Sequence, residues 1–395
     1  TMVAAAAIYM AAKSGLQCAL MAPTEILAEQ HYRSLAPLLE PLGIPCALLT
    51  ASTKARERRA LNERLRSGEL SLVIGTHALL SPDVQYQNLG LVVTDEQHRF
   101  GVDQRAALSA KGDDPHLLVM SATPIPRTLA LMIYGDLDVS ILNELPPGRQ
   151  KIDTFAVPSS YHERIYAFLR KLVAEGRQAY IVCPMVSEND ELPDERKAVT
   201  AYAETLQKEV FPDLRIAPIH GKMKPKEKDA VMRAFAAHEI DVLVSTTVIE
   251  VGVDVPNAVI MVIENAERFG LSQLHQLRGR IGRGQYKSTC ILITDAKNDT
   301  AQRRMKVMET TTDGFKIADE DLRLRGPGEF FGSRQHGLPE MKIADMLEDR
   351  STLEETQRAA REIIAHDPEL SSPESTALKN EIQRLFDAVG SAGMN

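Results

Sequence analysis

The sequence predicts an α/β protein with two tandem parallel-sheet domains, followed by a helical hairpin and a helical tail. Short apolar runs recur through the first 298 residues, each continuous rather than alternating, as expected of strands buried on both faces of a parallel sheet. Helical patterns fill the intervals, giving the rhythm of an α/β domain. The rhythm breaks at "NELPPGRQ", residues 143–150, because a Pro-Pro-Gly cluster can continue neither a helix nor a central strand. It then restarts.

Thr1 opens directly into an Ala-rich apolar helix, "MVAAAAIYMAA". Strands are expected at "CALMA" from Cys18, "CALLT" from Cys46, "SLVIG" from Ser71, "GLVVTD" from Gly90 and "HLLVMSAT" from His116, with helices at 25–38 and 54–66. After the break, strands are expected at "AYIVCPM", "RIAPIH", "DVLVST", "AVIMVIE" and "CILIT", with helices at 161–175, 197–208 and 225–237. Beyond residue 298 the strands stop. Two helices should meet near Thr312-Asp313-Gly314, followed by the Gly- and Pro-rich "RGPGEFFGSRQHG" and by tail helices at 351–366 and 374–388. The expected domains are 1–147, 148–298, 299–337 and 338–395. No short-period repeat is visible.

A chain of 395 residues exceeds one compact core, which agrees with two domains and an extension. Apolar stretches end well short of a membrane span. Cys18, Cys46, Cys183 and Cys290 lie far apart, suggesting reduced core residues of a cytosolic protein rather than a metal knuckle or a disulfide framework. The net charge of -8 argues against a nucleic-acid partner, but its distribution matters more. Residues 268–334 carry 13 Lys+Arg against 8 Asp+Glu, and residues 335–395 carry 6 against 12. A basic segment before an acidic tail is compatible with a local polyanion site.

Asp95 and Glu96 close the run "GLVVTDE". Side chains at the C-terminal end of a buried parallel strand project into the crevice where α/β sheets bind ligands. Two adjacent carboxylates there are costly unless a cation or a reaction uses them. An isolated Asp-Glu is ordinarily a polar strand end followed by a cap. In phosphoryl transfer from a nucleotide, an aspartate holds Mg²⁺ and a neighbouring group orients the attacking water, and Asp95 and Glu96 fit those roles. Such a site needs a loop of the form GxxxxGK[ST]. None occurs in the chain, but Thr1 before a buried helix has the character of that loop's last residue, so Gly-Lys is expected immediately upstream in the natural protein.

The segments "APTEILAEQH" (22–31), "IGTHAL" (74–79), "DEQHRFG" (95–101), "MSATPIPRT" (120–128), "STTVIEVGVDVPNA" (245–258) and "QLHQLRGRIGRG" (273–284) resemble, in order, motifs Ia, Ib, II, III, V and VI of superfamily 2 helicases. Within that superfamily, "DEQHRFGV" and "DLRLRGPGEFFGSRQHG" are similar to the RecG family of bacterial branch-migration helicases. The related transcription-repair coupling factor Mfd typically has a second glutamate at the position of Gln97.

The resemblance implies RecA-like (P-loop NTPase) domains using ATP and Mg²⁺. Asp95 and Thr1 would hold the metal, Glu96 would activate water, and Gln97 and His98 would couple the domains. Arg280 and Arg283 would reach the γ-phosphate on closure, a task suited to a guanidinium that is always charged and forks onto phosphate oxygens. A solvated basic loop would explain their charge but not the GRxGR glycine spacing. Thr1, Gly252, Asp254 and Gln276 would contact ATP. Thr24, Thr76, His77, Thr246 and Thr247 are small donors suited to DNA phosphates, which position a protein without reading bases. The chain has no Trp and 5% aromatics, so grip on a duplex backbone is favoured over base stacking. Ser121, Thr123, Arg303, Arg304, Arg323, Arg325, Arg334 and Gln335 match elements that couple nucleotide turnover to movement. The partners implied are double-stranded and branched DNA, both forks and Holliday junctions, together with single-stranded DNA-binding protein and no membrane. A monomeric, cytoplasmic protein in recombination and repair is implied. Two other readings stay open: an Mfd-like transcription-repair motor, and an ATPase-inactive DNA-binding fragment in which the phosphate loop is missing.

Overall fold

The computed structural model describes residues 1–96, 100, 102–121, 139–142, 144, 150–184, 195–246, 255–325 and 350–392. Most of the expected linker at 143–150 and all of 326–337 lie outside these residues.

The chain opens with α1 (Met2–Lys13), β1 (Gln17–Met21), α2 (Glu25–Leu39), β2 (Cys46–Leu49), α3 (Ala55–Arg66), β3 (Leu72–Gly75), β4 (Leu89–Thr94), α4 (Val102–Ser109) and β5 (His116–Val119). The five strands form one parallel sheet in the order β2-β3-β1-β4-β5. Their apolar runs are continuous because β1, β3 and β4 are buried at every position. Ile8, Leu20, Leu35, Ile74 and Val93 pack on one face, and Met21, Leu49, Leu65, Val73 and Val92 on the other. The exception is β5, where Leu117 is 38% exposed. Among the described residues it pairs with β4 alone and is not fully buried, unlike the two-sided cover expected for it.

The second sheet begins with β6 (Ile152–Val157), followed by α5 (His162–Ala174), β7 (Gln178–Val182), α6 (Glu195–Thr205), β8 (Ile216–Ile219), α7 (Pro225–Ala236), β9 (Val242–Ser245), β10 (Ala258–Ile263), α8 (Leu271–Arg278) and β11 (Ser288–Ile293). Its order is β6-β11-β10-β7-β9-β8, again parallel throughout. Sequence reading missed β6 because its residues alternate between buried and exposed at the start of the strand. It pairs with β11 alone, so it needs no continuous apolar run.

The two sheets repeat one design. The order β2-β3-β1-β4-β5 maps onto β8-β9-β7-β10-β11, and the equivalence extends to single side chains. Gln17, entering β1, donates from Nε2 to the carbonyls of Leu65 (2.9 Å) and Leu70 (2.8 Å), and its Oε1 accepts from the backbone N–H groups of Gln87 and Asn88. Gln178, entering β7, donates to the carbonyls of Phe235 (2.6 Å) and Ile240 (2.7 Å), and its Oε1 accepts from Asn257 Nδ2. Each buried glutamine ties a helix C-terminus and the loop after it to the start of a central strand, satisfying backbone groups that burial would otherwise leave unpaired.

Beyond the sheets come α9 (Asp299–Thr310), α10 (Gly314–Arg325), α11 (Arg350–His366) and α12 (Thr376–Ala392). The described residues divide into two units. One holds both sheets, and the other holds Gly270–His275 and the chain from Ala296. In the second unit, Met305 and Met308 of α9 and Ile317 and Leu322 of α10 are buried. The turn sits where the sequence places it, with the Asp313 carboxylate accepting from Phe315 N at 2.9 Å. No described helix is long and apolar enough to cross a membrane.

Candidate nucleotide site

Strand order fixes the location of the site. In the first sheet β1 and β4 are neighbours, yet β1 leads through α2 to β2 on one side while β4 leads through α4 to β5 on the other. Connections diverging from adjacent parallel strands open a crevice at their C-terminal ends, the usual ligand position in such sheets. Asp95 and Glu96 follow β4 at this point, and Asp95 N donates to Met21 O of β1 at 3.0 Å.

The carboxylates are held differently. Asp95 Oδ2 lies 2.8 Å from His31 Nε2 on α2, and Oδ1 accepts from Glu96 N at 3.1 Å. Glu96 adopts a left-handed backbone, φ 52, a conformation costing a non-glycine residue roughly 1–2 kcal/mol. Such strain persists where the surroundings dictate it, and here it turns the chain out of the strand at the second carboxylate. The equivalent corner of the second sheet has the same form. Glu264 N donates to Val182 O at 2.8 Å, and Asn265 takes φ 45.

The hard carboxylate oxygens of Asp95 suit Mg²⁺, which takes one or two carboxylates and draws its remaining ligands from substrate phosphates and water. Among the described residues no group of three or more His, Cys, Asp or Glu side chains could hold a metal by itself. The hydroxyl of Thr94, directly before Asp95, is buried without a hydrogen-bond partner among the described residues. Thr1 is exposed at the N-terminal end of α1.

Arg280 and Arg283 follow α8 in a glycine-bound loop. Gly282 has φ +73, and a Cβ there would lie 2.8 Å from Ile152 Cγ1; one on Gly284 would lie 2.5 Å from Pro256 O. The spacing of this motif therefore answers to backbone geometry as well as to charge. Arg283 is exposed, with Nε donating to Gly279 O at 3.0 Å; Arg280 and Gln276 are half-buried. Arg278 was not foreseen. It is 2% exposed, its Nη1 lies 3.5 Å from Thr154 Oγ1, and desolvation pushes its guanidinium below the ordinary range.

The threonines assigned to DNA have varied surroundings. Thr24 caps α2, its hydroxyl accepting from Leu27 N at 3.3 Å. The hydroxyls of Thr76 and Thr246 are buried without partners among the described residues, while His77 is exposed. In the hairpin, Glu320 pairs with Arg323 at 3.0 Å and with Arg303 at 3.5 Å, and Asp321, buried in α10, accepts from Ser272 Oγ at 2.9 Å. Ser121 lies just beyond β5, Arg304 is half-buried in α9, and Arg325 ends α10. Gln97, His98, Thr123, Thr247, Gly252, Asp254, Arg334 and Gln335 lie outside the described residues. His31 and Arg278 are the residues sequence reasoning missed. The signal for His31 was its place inside "APTEILAEQH", seven residues after Thr24.

Two parallel-sheet domains with carboxylates at the switch point and arginines after a helix constitute the RecA-like fold of helicases. Three family models match: DEAD/DEAH box helicase over residues 1–132, helicase conserved C-terminal domain over 163–285, and ATP-dependent DNA helicase RecG, domain 3, C-terminal, over 311–389. Proteins named ATP-dependent DNA helicase RecG from Bacillus subtilis and Synechocystis sp. are each 51% identical, over 97% and 99% of this chain. A solved structure of RecG bound to a three-way DNA junction is 47% identical with a TM-score of 0.74, covering 90% of this chain and 46% of that one. Dbp5 of S. cerevisiae bound to RNA and ADP BeF3, 16% identical with a TM-score of 0.53, covers 87% of this chain and 81% of its own and shares the fold alone. The chain belongs to the RecG family. It spans 56% and 47% of the length of the two curated relatives.

Proposed function

We propose that the natural protein is an ATP-driven double-stranded DNA translocase that remodels branched DNA, with this chain as its motor. The observation that carries this reading is the 47% identity to RecG bound to a three-way junction. The relatives' names favour it over an Mfd-like motor.

In this reading Asp95 and Thr1 would hold Mg²⁺, which would supply positive charge to neutralise the phosphates. Glu96, whose backbone is left-handed, accepts the proton of the attacking water. Arg280 and Arg283 supply positive charge to the phosphates, and Gln276, Gly252 and Asp254 complete the nucleotide contacts. Gln97, His98, Ser121 and Thr123 link the nucleotide to domain movement. Thr24, Thr76, His77, Thr246 and Thr247 grip the DNA backbone, with Thr76 and Thr246 requiring a rearrangement to expose their hydroxyls. Arg303, Arg304, Arg323, Arg325, Arg334 and Gln335 convert closure into movement along the duplex. We assign the domains to 1–147, 148–298, 299–337 and 338–395, in a monomeric cytoplasmic protein that works with single-stranded DNA-binding protein.

Arg280→Ala in the natural full-length protein should lower DNA-stimulated ATP hydrolysis by roughly 10³, the lower end of the range for arginine fingers. An unchanged rate would remove Arg280 from the phosphate site.

A further inference from the structure

We infer that His31 is a positioning residue for the Asp95 carboxylate, fixing the metal-binding aspartate to the same helix that carries the Thr24 backbone contact. The inference rests on the reading of Asp95 as a Mg²⁺ ligand. His31 is 8% exposed in the middle of α2, and its Nε2 lies 2.8 Å from Asp95 Oδ2. An ionised carboxylate only accepts hydrogen bonds, so Nε2 donates. Carboxylates that ligate metals are commonly oriented by such outer partners, and losing one typically weakens metal binding 10- to 100-fold.

The second sheet shows the alternative arrangement. Glu264, at the equivalent strand end, is gripped along both oxygens: His162 Nε2 lies 3.1 Å from each, and Tyr202 OH donates to Oε1 at 2.9 Å. Three close contacts hold that carboxylate. At Asp95 the imidazole holds one oxygen, while Oδ1 receives the backbone N–H of Glu96 and retains lone-pair capacity for a cation. Both Asp95 oxygens are engaged, but two contacts against the three at Glu264 leave more lone-pair capacity for a cation.

The position of His31 gives the clamp a second consequence. Thr24 is the N-cap of α2 and His31 lies seven residues further on, about two helical turns into the same element. A shift of the helix at its Thr24 end therefore moves the imidazole, and with it Asp95. DNA engagement and metal geometry share one rigid element.

The test is Mn²⁺ affinity, measured by electron paramagnetic resonance of free Mn²⁺, in the natural full-length protein saturated with a non-hydrolysable ATP analogue. The variants are His31→Ala, His31→Gln, His31→Asn and Asp95→Asn. Glutamine can place an amide N–H near the position of Nε2, whereas the shorter asparagine cannot. Affinity should fall roughly 10-fold in His31→Ala and His31→Asn, recover largely in His31→Gln, and be lost in Asp95→Asn. If Asp95→Asn abolishes binding while the alanine variant binds as wild type, His31 does not position the aspartate. Equal behaviour of the glutamine and asparagine variants overturns the inference even if alanine unfolds the domain. If Asp95→Asn itself binds Mn²⁺ normally, the metal-ligand reading is what has failed.

Discussion

Asp95 and Glu96 are adjacent in sequence but differ locally: an imidazole lies on the Asp95 carboxylate, and the Glu96 backbone is left-handed. That difference fits one residue for holding and one for proton transfer. At the same scale, Gly282→Ala places a side chain on a backbone with φ +73, where a Cβ would meet Ile152 Cγ1 at 2.8 Å. The left-handed conformation alone should cost roughly 1–2 kcal/mol, and the contact adds to it, so thermal unfolding should move to lower temperature. A melting temperature equal to wild type would mean the loop relaxes freely. The polar cluster at the end of β4 was legible because two carboxylates there conflict with ordinary strand ends. His31 was not, because only the fold brings an imidazole 64 positions away onto Asp95.

Among the elements, α2 carries both the His31 contact to Asp95 and the Thr24 cap. Thr24 is its N-cap, accepting from Leu27 N, so Thr24→Ala should cost about 1 kcal/mol of stability and also weaken DNA binding. Thr24→Ser keeps the hydroxyl and should restore both; a serine variant that restored stability but not DNA binding would point to the threonine methyl. The second sheet offers a pH test. Asp241 is buried at the entry to β9; burial pushes its carboxyl up, but the hydrogen bonds and charge of Arg215 outweigh this and hold it below the ordinary value. A depressed carboxyl contributes stability that is complete above the unfolded value of about 3.9 and is lost as pH falls through the folded value beneath it. Asp241→Asn should therefore lower stability at neutral pH and flatten the acid limb of unfolding below about pH 4. An acid limb unchanged from wild type would contradict the assignment. Central strands were legible through their continuous apolar runs, whereas edge strand β6 alternates at its start and escaped that criterion. The paired glutamines Gln17 and Gln178 resemble any polar residue before an apolar run, and their common role emerges only from the partners the fold supplies.

For the whole molecule, the tandem plan could be read from the Pro-Pro-Gly break and the restarted rhythm, and the shared RecA-like design from the motif resemblance, whereas the matching strand orders and paired glutamines reside in hydrogen bonding that the fold alone displays. Cysteine chemistry agrees with a core role. Burial pushes the thiols of Cys18 and Cys290 up to about 12 and that of Cys46 up to about 11, so these groups remain protonated at pH 8. Alkylation of these three should be at least roughly 100-fold slower in the native protein than in denaturant, with rapid native labelling contradicting their place in the core. The central claim is that the strand-end carboxylates drive a DNA motor, and steady-state ATP hydrolysis by the natural full-length protein, with and without duplex DNA, tests it most directly. DNA-stimulated hydrolysis should fall by roughly 10² to 10⁴ in Glu96→Gln while DNA binding persists. Hydrolysis at the wild-type rate in that variant would contradict it.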